Sequence, residues 1–428
     1  MKKAALFAVL TLVGLNLLSC SKGASIHKPP SGLYERVLAS QSVSSLTAQA
    51  GLLIVNGQLD LLARSAPISA GGSPGLMTLS PTRATLLVFD SSANQVAVVN
   101  TTTESLTGNV QLPGPTSSMV IPSETGIGYV AVPTASQIGV PPGVVEEIDL
   151  TTGAISDSIS VPGVQTVVAN ANGTQLIAFS NDLDVVTIVS PLNLNTTLPV
   201  TTVVPGFDRP VYGFFSADGS TAYILNCGAQ CLGKQASVQI LNLGTTPTAG
   251  ASVAVDGATM GLISGSTLFV AGTPPTNNAC TGETTAATTC GRLDMVDLGS
   301  LTVTGSTVIT DGYHTVMSLS ANGQLFVGST ACTTVGNVNN PQGGEVRGCL
   351  SIYNTTTGVV VIPPDNGDVT DLQSFSSRYV EYVAEGGNLR VYDTTKDLLL
   401  VEDVEGATFT GTIAINGTVI GVKAIDFF

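Results

Sequence analysis

The feature that most constrains the fold of this chain is a pattern of four short strand-like runs, repeated from about residue 50 onward. One copy begins at Pro210 and contains the alternating runs 221–226 and 237–242, and another contains the runs 325–327 and 350–354. The runs are rich in Val, Ile, Thr and aromatic residues, which is typical of strands. A period of about 40 to 55 residues indicates that each copy is one supersecondary unit.

The connections within each unit carry two kinds of turn signal. Asn-Gly and Asp-Gly pairs follow the first run, because Asn, Asp and Gly tolerate the positive φ of tight hairpins. The third run ends in Asp or Asn followed by Thr, a pattern in which the first side chain bonds the backbone two residues on. We therefore expect the first-to-second and third-to-fourth turns to be tight throughout. The first kind occurs at Asn172-Gly173, Asp218-Gly219 and Asn322-Gly323, and the second at Asn100, Asp149, Asn354 and Asp393.

Four-stranded units of this period predict an all-β fold, the β-propeller, in which each unit is one blade. Two partial units remain at the ends, Leu52 to Ser69 and Phe409 to Phe428. If they share one blade, the ring has eight blades and is closed by pairing of the N- and C-terminal strands, which we prefer. If they merely extend neighbouring blades, the ring has seven. Full units start near Pro74, Pro115, Val164, Pro210, Gly257, His314 and Val369.

The second strand of the repeat resembles the tetrad of the YVTN-type, lactonase-like propellers. Here the tetrad is replaced by Gly128-Tyr129-Val130-Ala131, Leu268-Phe269-Val270-Ala271 and similar runs. The resemblance covers nearly all of the chain after residue 50. It implies a propeller, and since some related propellers open sugar lactones, it also suggests a hydrolase as one possible function.

The N-terminus has the pattern of an export signal. Lys2 and Lys3 precede an apolar run, 4–18, that is too short for a comfortable transmembrane helix. The run ends in Leu17-Leu18-Ser19-Cys20, which resembles the bacterial lipobox. The resemblance implies a lipoprotein signal peptide over 1–19 and lipid on Cys20, and the non-acidic Ser21 implies the outer membrane. An ordinary signal peptide is the alternative. We expect a tether over 20–49, with one short ordered stretch around Tyr34 to Leu38, and the propeller over 50–428.

The long loops of the chain all connect a second to a third strand, at 133–143, 227–235, 272–290 and 329–347. Alternate loops of a propeller project from opposite faces, so these insertions share one face, the insertion face, with the fourth-to-first crossovers. Six of the seven cysteines remain once Cys20 is set aside, and they fall in or at the edges of three insertions, two to each. Because an exported chain meets an oxidising compartment, we expect three local disulfides. The alternative is a metal site that uses Cys227 and Cys231 or a cluster of thiolates from several loops. The expected pairs are Cys227 with Cys231, Cys280 with Cys290, and Cys332 with Cys349.

Few residues suggest chemistry. The excess of acids, 30 against 15 bases, argues against nucleic-acid binding. Of the two His, His27 lies in the tether, whereas His314 resembles the Pro-His position of YVTN-type repeats, for which we expect a structural role. We predict no catalytic residue, metal or cofactor. The candidate binding residues near the insertion face or channel mouth are Arg209, Arg292, Asp311, Tyr313, His314 and Arg347.

The sequence thus favours a monomeric, lipid-anchored envelope propeller that binds a protein, peptide or polymer through a disulfide-braced loop face, and enzymatic activity is not expected. A lactonase-like hydrolase of small sugar lactones is the alternative. A third hypothesis is an envelope scaffold with no soluble ligand.

Overall fold

The computed structural model describes residues 28–43, 50–122, 126–136, 138–180, 182–190, 200–275, 290–332, 348–363, 367–395 and 409–426. Over these ranges the chain forms eight four-stranded antiparallel sheets. They are the blades of a ring, as predicted, and the eight-blade count is confirmed. No helix in these ranges is long and apolar enough to cross a membrane.

The strands of blades 1 to 4 follow one another along the chain, after three N-terminal strands. The N-terminal strands are β1 (Arg36–Gln41), β2 (Gly51–Asn56) and β3 (Leu61–Leu62). Blade 1 contains β4 (Pro74–Leu79), β5 (Thr85–Asp90), β6 (Gln95–Asn100) and β7 (Ser105–Gln111). Blade 2 contains β8 (Ser118–Val120), β9 (Ile127–Val132), β10 (Val144–Asp149) and β11 (Ala154–Ser160). Blade 3 contains β12 (Thr166–Ala169), β13 (Leu176–Phe179), β14 (Val185–Ser190) and β15 (Val200–Pro205). Blade 4 contains β16 (Pro210–Phe215), β17 (Thr221–Asn226), β18 (Ser237–Asn242) and β19 (Thr248–Ala254).

Blades 5 to 7 continue the series, and a single strand follows them. Blade 5 contains β20 (Met260–Ser264), β21 (Thr267–Gly272), β22 (Gly291–Asp297) and β23 (Thr302–Ile309). Blade 6 contains β24 (Tyr313–Leu319), β25 (Gln324–Thr330), β26 (Leu350–Asn354) and β27 (Val360–Val361). Blade 7 contains β28 (Val369–Phe375), β29 (Val380–Glu385), β30 (Asn388–Asp393) and β31 (Phe409–Ile413). The last strand is β32 (Val422–Ala424), and two short 3-10 turns lie at Gly228–Cys231 and Ser376–Arg378.

Blade 8 closes the ring from both ends of the chain. Its strand order is β3-β2-β1-β32, so the C-terminal strand is innermost and three N-terminal strands lie outside it. Of the C-terminal partial unit Phe409 to Phe428, only β32 belongs to this blade, because β31 completes blade 7. Strand β1 also lies within the segment 20–49 that we assigned to a tether, which moves the start of the ring from residue 50 to Arg36.

The apolar core lies between neighbouring blades. Alternation along β1 shows why: Val37 and Ala39 pack in one cluster with Tyr382 of blade 7, while Leu38 packs in another with Leu86 of blade 1. Successive side chains of a strand point to opposite faces of its sheet. Each blade therefore covers the flanks of two neighbours, and every blade depends on the ring being complete.

The tight turns have the predicted backbone. Gly173, Gly219 and Gly323 all have φ between 66° and 84°, the left-handed region that glycine adopts without strain. The carboxylate of Asp149 accepts the amide of Thr151 at 2.7 Å, as expected for the second kind of turn. These first-to-second and third-to-fourth turns form the turn face, opposite the insertion face.

Two third-to-fourth connections are longer than we predicted. In blade 3, residues 191–199 separate β14 from β15, and in blade 7, residues 394–408 separate β30 from β31. The expected turn does start in blade 7, where the Asp393 carboxylate accepts the amide of Thr395 at 2.9 Å. The next strand begins only at Phe409, however. The turn pattern at Asp393 therefore predicts the conformation of the turn correctly but does not predict the length of the connection.

A buried ion network locks the closure at the turn face. The Arg36 guanidinium donates to both carboxylate oxygens of Asp426, at 2.7 and 2.8 Å, and to Glu104 of the blade 1 turn at 2.8 Å. The Arg36 and Glu104 side chains are 7% and 4% exposed. Ser31 adds its amide and hydroxyl to the Glu104 carboxylate, both at 2.6 Å. The network joins the N-terminal segment, blade 1 and the C-terminus.

Substitution of Arg36 by Met should destabilise the protein strongly. It leaves the Glu104 and Asp426 carboxylates without their buried cation, and breaking a buried pair from one side costs about 3–5 kcal/mol. Chemical denaturation measures the change, with Arg64→Met, at an exposed position, as the matched control. Equal unfolding midpoints for the two variants would contradict the assignment.

Candidate functional site

The first strands of blades 1 to 5 surround a cavity of about 950 Å³ in the channel of the ring. Four aromatic side chains from blade 4 line it, and Tyr212 and Phe214 make an edge contact with ring centroids 5.2 Å apart. None of the residues that line this cavity is charged. It can hold an uncharged molecule of moderate size. The four aromatic residues are Tyr212, Phe214, Phe215 and Tyr223.

A second cavity of about 460 Å³ lies at the starts of the first strands, where the channel opens on the insertion face. It shares Ser117, Ser118 and Tyr212 with the larger cavity, so the two meet inside the channel. Tyr313 and His314, two predicted candidates, are part of its lining. The structure therefore brings these two residues to the channel mouth.

His314 has a structural position there. Its Nε2 lies 3.0 Å from the carbonyl of Thr310, and since a carbonyl only accepts, Nε2 carries the proton. The residue is fully buried, and burial lowers the pKa of His314 to about 4, so the ring is neutral at physiological pH. A Cβ at Gly291 would lie 2.9 Å from the imidazole Cε1. His314 thus fills a space between blades 5 and 6 that glycine at 291 leaves open.

The remaining candidates do not converge. Arg209 lies on the crossover into blade 4, with its guanidinium on the Asp182 carbonyl. Arg292 lies in blade 5, with its Nε 3.8 Å from the carboxylate of Asp256. Asp311 is buried in the crossover into blade 6, and Arg347 falls outside the described residues. The two arginines belong to separate rim contacts on neighbouring blades.

The cysteines follow the predicted local pairing as far as the structure describes them. Cys227 is bonded to Cys231, and Cys332 to Cys349. Cys290 is also disulfide-bonded, while its predicted partner Cys280 lies outside the described residues. The alternative of a thiolate metal site at Cys227 and Cys231 is therefore wrong. The disulfides indicate an oxidising compartment and hence export.

The loop of blade 4 is fixed by more than its disulfide. The side-chain oxygen of Gln230 accepts the amide of Thr273 at 2.8 Å, and its amide nitrogen donates to the carbonyl of Gly312 at 3.2 Å. Asp208 accepts the amides of Lys234 and Gln235 at 2.7 to 3.1 Å. Gln230 therefore connects the loop of blade 4 to blade 5 and to the crossover into blade 6. These contacts link residues far apart in sequence, and sequence reasoning missed them.

Several apolar side chains on the insertion face are exposed to solvent. Leu232 is 89% exposed and follows the Cys227–Cys231 disulfide in a left-handed conformation with φ 66°. Ile138, Val140 and Leu183, in the loops of blades 2 and 3, are also exposed. Our candidate list held only polar and aromatic residues. Apolar residues between turn formers within an insertion are the signal that would have found these.

A buried carboxyl lies in the wall between blades 6 and 7. Glu381 of β29 is fully buried, with Ser318 of blade 6 and Ser374 of blade 7 beside its carboxyl group. Desolvation by burial raises the pKa of Glu381 to about 8, so the group is protonated at neutral pH. Nearby, Lys423 and Asp371 form an ion pair at 2.7 Å between β32 and β28. Lys423 and Asp371 therefore pair with each other and stabilise the fold.

Comparison with known proteins supports the fold. No protein-family model matches the sequence, and no curated protein matches it. Dihydro-heme d1 dehydrogenase NirN in complex with DHE is 14% identical, with a TM-score of 0.57 over 92% of this chain and 75% of that chain. The Dos1 propeller is 8% identical, with a TM-score of 0.57 over 83% and 86%. A putative 6-phosphogluconolactonase from Bacteroides uniformis is 12% identical, with a TM-score of 0.50 over 77% and 95%. At these identities the likeness shows the fold alone.

Substitution of Glu381 by Gln should stabilise the protein in a pH-dependent way. In the folded state Glu381 keeps a proton that it releases above its pKa of 4.5 in the unfolded state. The free energy of unfolding therefore falls as pH rises from 4.5 to about 8. Glutamine removes this cost, which is worth about 3 kcal/mol at pH 7. Denaturation of both proteins between pH 4 and pH 9 should give curves that diverge as pH rises. A difference that does not change with pH would contradict the buried, protonated state.

Replacement of both Cys332 and Cys349 by Ala should lower the free energy of unfolding by about 3 kcal/mol. The disulfide closes a loop and thereby lowers the conformational entropy of the unfolded chain, and a loop of this size contributes about that much. The same replacement of Cys227 and Cys231, which lie only 4 residues apart, should cost less. Thermal unfolding of the two double variants ranks them. The reverse order would contradict a role limited to loop closure.

Proposed function

We propose that this chain is a lipid-anchored binding module of the bacterial envelope, which acts as a monomer and binds a protein, peptide or polymer through its insertion face. The anchor would be lipid on Cys20, and Ser21 favours the outer membrane. The disulfides fit this location because they require an oxidising compartment. A scaffold with no soluble ligand would use the same face.

The observation that carries this proposal is the fixed presentation of Leu232. Its loop is held by the Cys227–Cys231 disulfide, by the Asp208 carboxylate and by Gln230. A loop whose backbone is already fixed loses little conformational entropy when a partner covers it. Exposed apolar side chains grouped on one face are typical of binding surfaces. Ile138, Val140 and Leu183 extend the apolar character around the same rim.

The alternative, a lactonase-like hydrolase, has weaker support. It draws on the fold that the chain shares with the putative 6-phosphogluconolactonase and on the cavity in the channel. Such an enzyme needs a metal or an acid/base pair at a polar channel mouth, and His314 and Arg209 are the residues whose replacement tests it. His314 is buried against Thr310, and Arg209 is bound to the rim at Asp182. The geometry therefore supports binding better than hydrolysis.

Substitution of Leu232 by Asp should weaken partner binding about tenfold or more, since burial of a leucine contributes about 1.5–3 kcal/mol. The measurement is a quantitative pull-down from crosslinked envelopes with the wild type and the variant. Val203→Asp is the matched control, because Val203 is 58% exposed on the outer strand β15, away from the insertion face. Partners recovered equally with Leu232→Asp would overturn the proposal.

A further inference from the structure

Large apolar side chains are also exposed on the turn face, around the point where the N-terminal segment enters blade 8. They belong to the entry segment, to the turn and strand β3 of blade 8, and to the neighbouring turn of blade 7. We call this group the blade 8 patch. Its members are Tyr34, Leu59, Leu61, Leu62 and Tyr379, with exposures of 49%, 65%, 60%, 36% and 45%.

Hydrogen bonds hold the parts of the patch together. The Arg378 guanidinium donates to the Gly57 carbonyl and to both oxygens of Asp60, at 2.9 and 3.2 Å to the latter. The Tyr382 hydroxyl donates to Asp60 at 2.5 Å, and the Gly57 amide donates to the Glu35 carbonyl at 2.9 Å. The turns of blades 7 and 8 and the entry segment therefore form one fixed surface.

The backbone of the patch adopts costly conformations. Asp60 has φ 53° and Tyr379 has φ 54°, both in the left-handed region that non-glycine residues seldom adopt. Such residues persist only where the surrounding structure enforces them. At residue 379 this backbone conformation leaves the tyrosine side chain 45% exposed to solvent. Such an arrangement does not by itself stabilise the fold. The surface is more easily understood if something apolar covers it.

The position of the N-terminal segment identifies what covers the patch. Residues 28–35 cross the turn face, where Ser31 binds Glu104 and the Lys28 ammonium lies 5.4 Å from the centre of the Tyr34 ring. Only seven residues, 21–27, lie between Cys20 and this segment, a reach of about 28 Å when fully extended. A lipid on Cys20 would therefore hold the turn face close to the bilayer.

The charge of the protein determines how such contact can occur. A net charge of −15 repels anionic headgroups, so electrostatic attraction cannot hold this face on a membrane. Within the patch, Asp60 is neutralised by Arg378 at 2.9 Å. What remains is apolar and aromatic, and tyrosine in particular suits the boundary between headgroups and acyl chains.

We infer that the blade 8 patch lies on the lipid surface, with the leucines in the acyl boundary and the tyrosines at headgroup level. This inference rests on the proposed anchor at Cys20. It assigns an orientation to the ring: the turn face is towards the membrane, and the insertion face with Leu232 points away from it, towards partners.

The chain contains no Trp, so single tryptophan reporters test this orientation directly. Leu61→Trp and Tyr379→Trp place the reporter in the patch, and Leu232→Trp places it on the insertion face as the control. Each lipidated variant is reconstituted into phosphatidylcholine vesicles with plain or brominated acyl chains. We expect bromine to lower the fluorescence of the two patch reporters about twofold, as for side chains within 5–10 Å of the headgroup boundary, and to leave Leu232→Trp unchanged.

The outcomes separate the inference from the anchor. Protein that does not sediment with vesicles overturns the anchor and the inference with it. Protein that sediments while all three reporters escape quenching, or are quenched equally, overturns the orientation and leaves the anchor standing. Patch reporters that are shielded from water but not quenched by bromine would indicate that a second copy of the chain covers the patch, which also overturns the inference.

Discussion

The structure depends on the antiparallel pairing of β32 with β1, which joins residues almost 390 positions apart. Val37 lies opposite Ala424, and Ala39 lies opposite Val422. The apolar flanks of blade 8 cover blade 7 on one side and blade 1 on the other. If the pairing opened, both interfaces would face water, and burial of apolar surface is the main favourable contribution to folding. Arg36 strengthens this point because its partners Glu104 and Asp426 come from two distant parts of the chain.

Because both ends of the chain contribute strands to blade 8, this blade also determines at which face the N-terminal segment enters the ring. As the second strand of blade 8, β1 begins at the turn face and ends at the insertion face. The segment that enters β1 and the long loops therefore lie on opposite sides of the ring. A tethered protein built in this way can rest one face on a surface while the other remains free. Both faces carry exposed apolar residues, Leu232 on one and Leu59 and Leu61 on the other.

Much of the fold could be predicted from the sequence because its signals are local. Asn322-Gly323 and Asp149 set the backbone of their own turns, and their recurrence gave the blade count. Loop membership likewise gave the pairing of Cys332 with Cys349. The place of β1 in the ring was missed because the Pro-rich segment before it resembles a linker, and its partner β32 lies at the far end of the chain.

The site was harder to predict because its contacts join residues that are far apart in the sequence. The role of His314 depends on the space left by Gly291 in another blade, and the role of Gln230 depends on Thr273 and Gly312. The pKa of Glu381 depends on burial between blades, which no local pattern records. Arg209 and Arg292 were chosen for their residue type, and each proved to belong to its own rim contact.

Hydrogen exchange at the closing strands tests the central claim most directly. The amide of Ser40 donates to the Gly421 carbonyl at 2.9 Å, and the amide of Ile425 donates to the Arg36 carbonyl at 3.0 Å. If ring closure supports every blade, these two amides should exchange only with global unfolding, as slowly as the amides of the central strands. Fast exchange at both, with the central strands still protected, would show that the ends fray independently and would contradict closure as the basis of the fold.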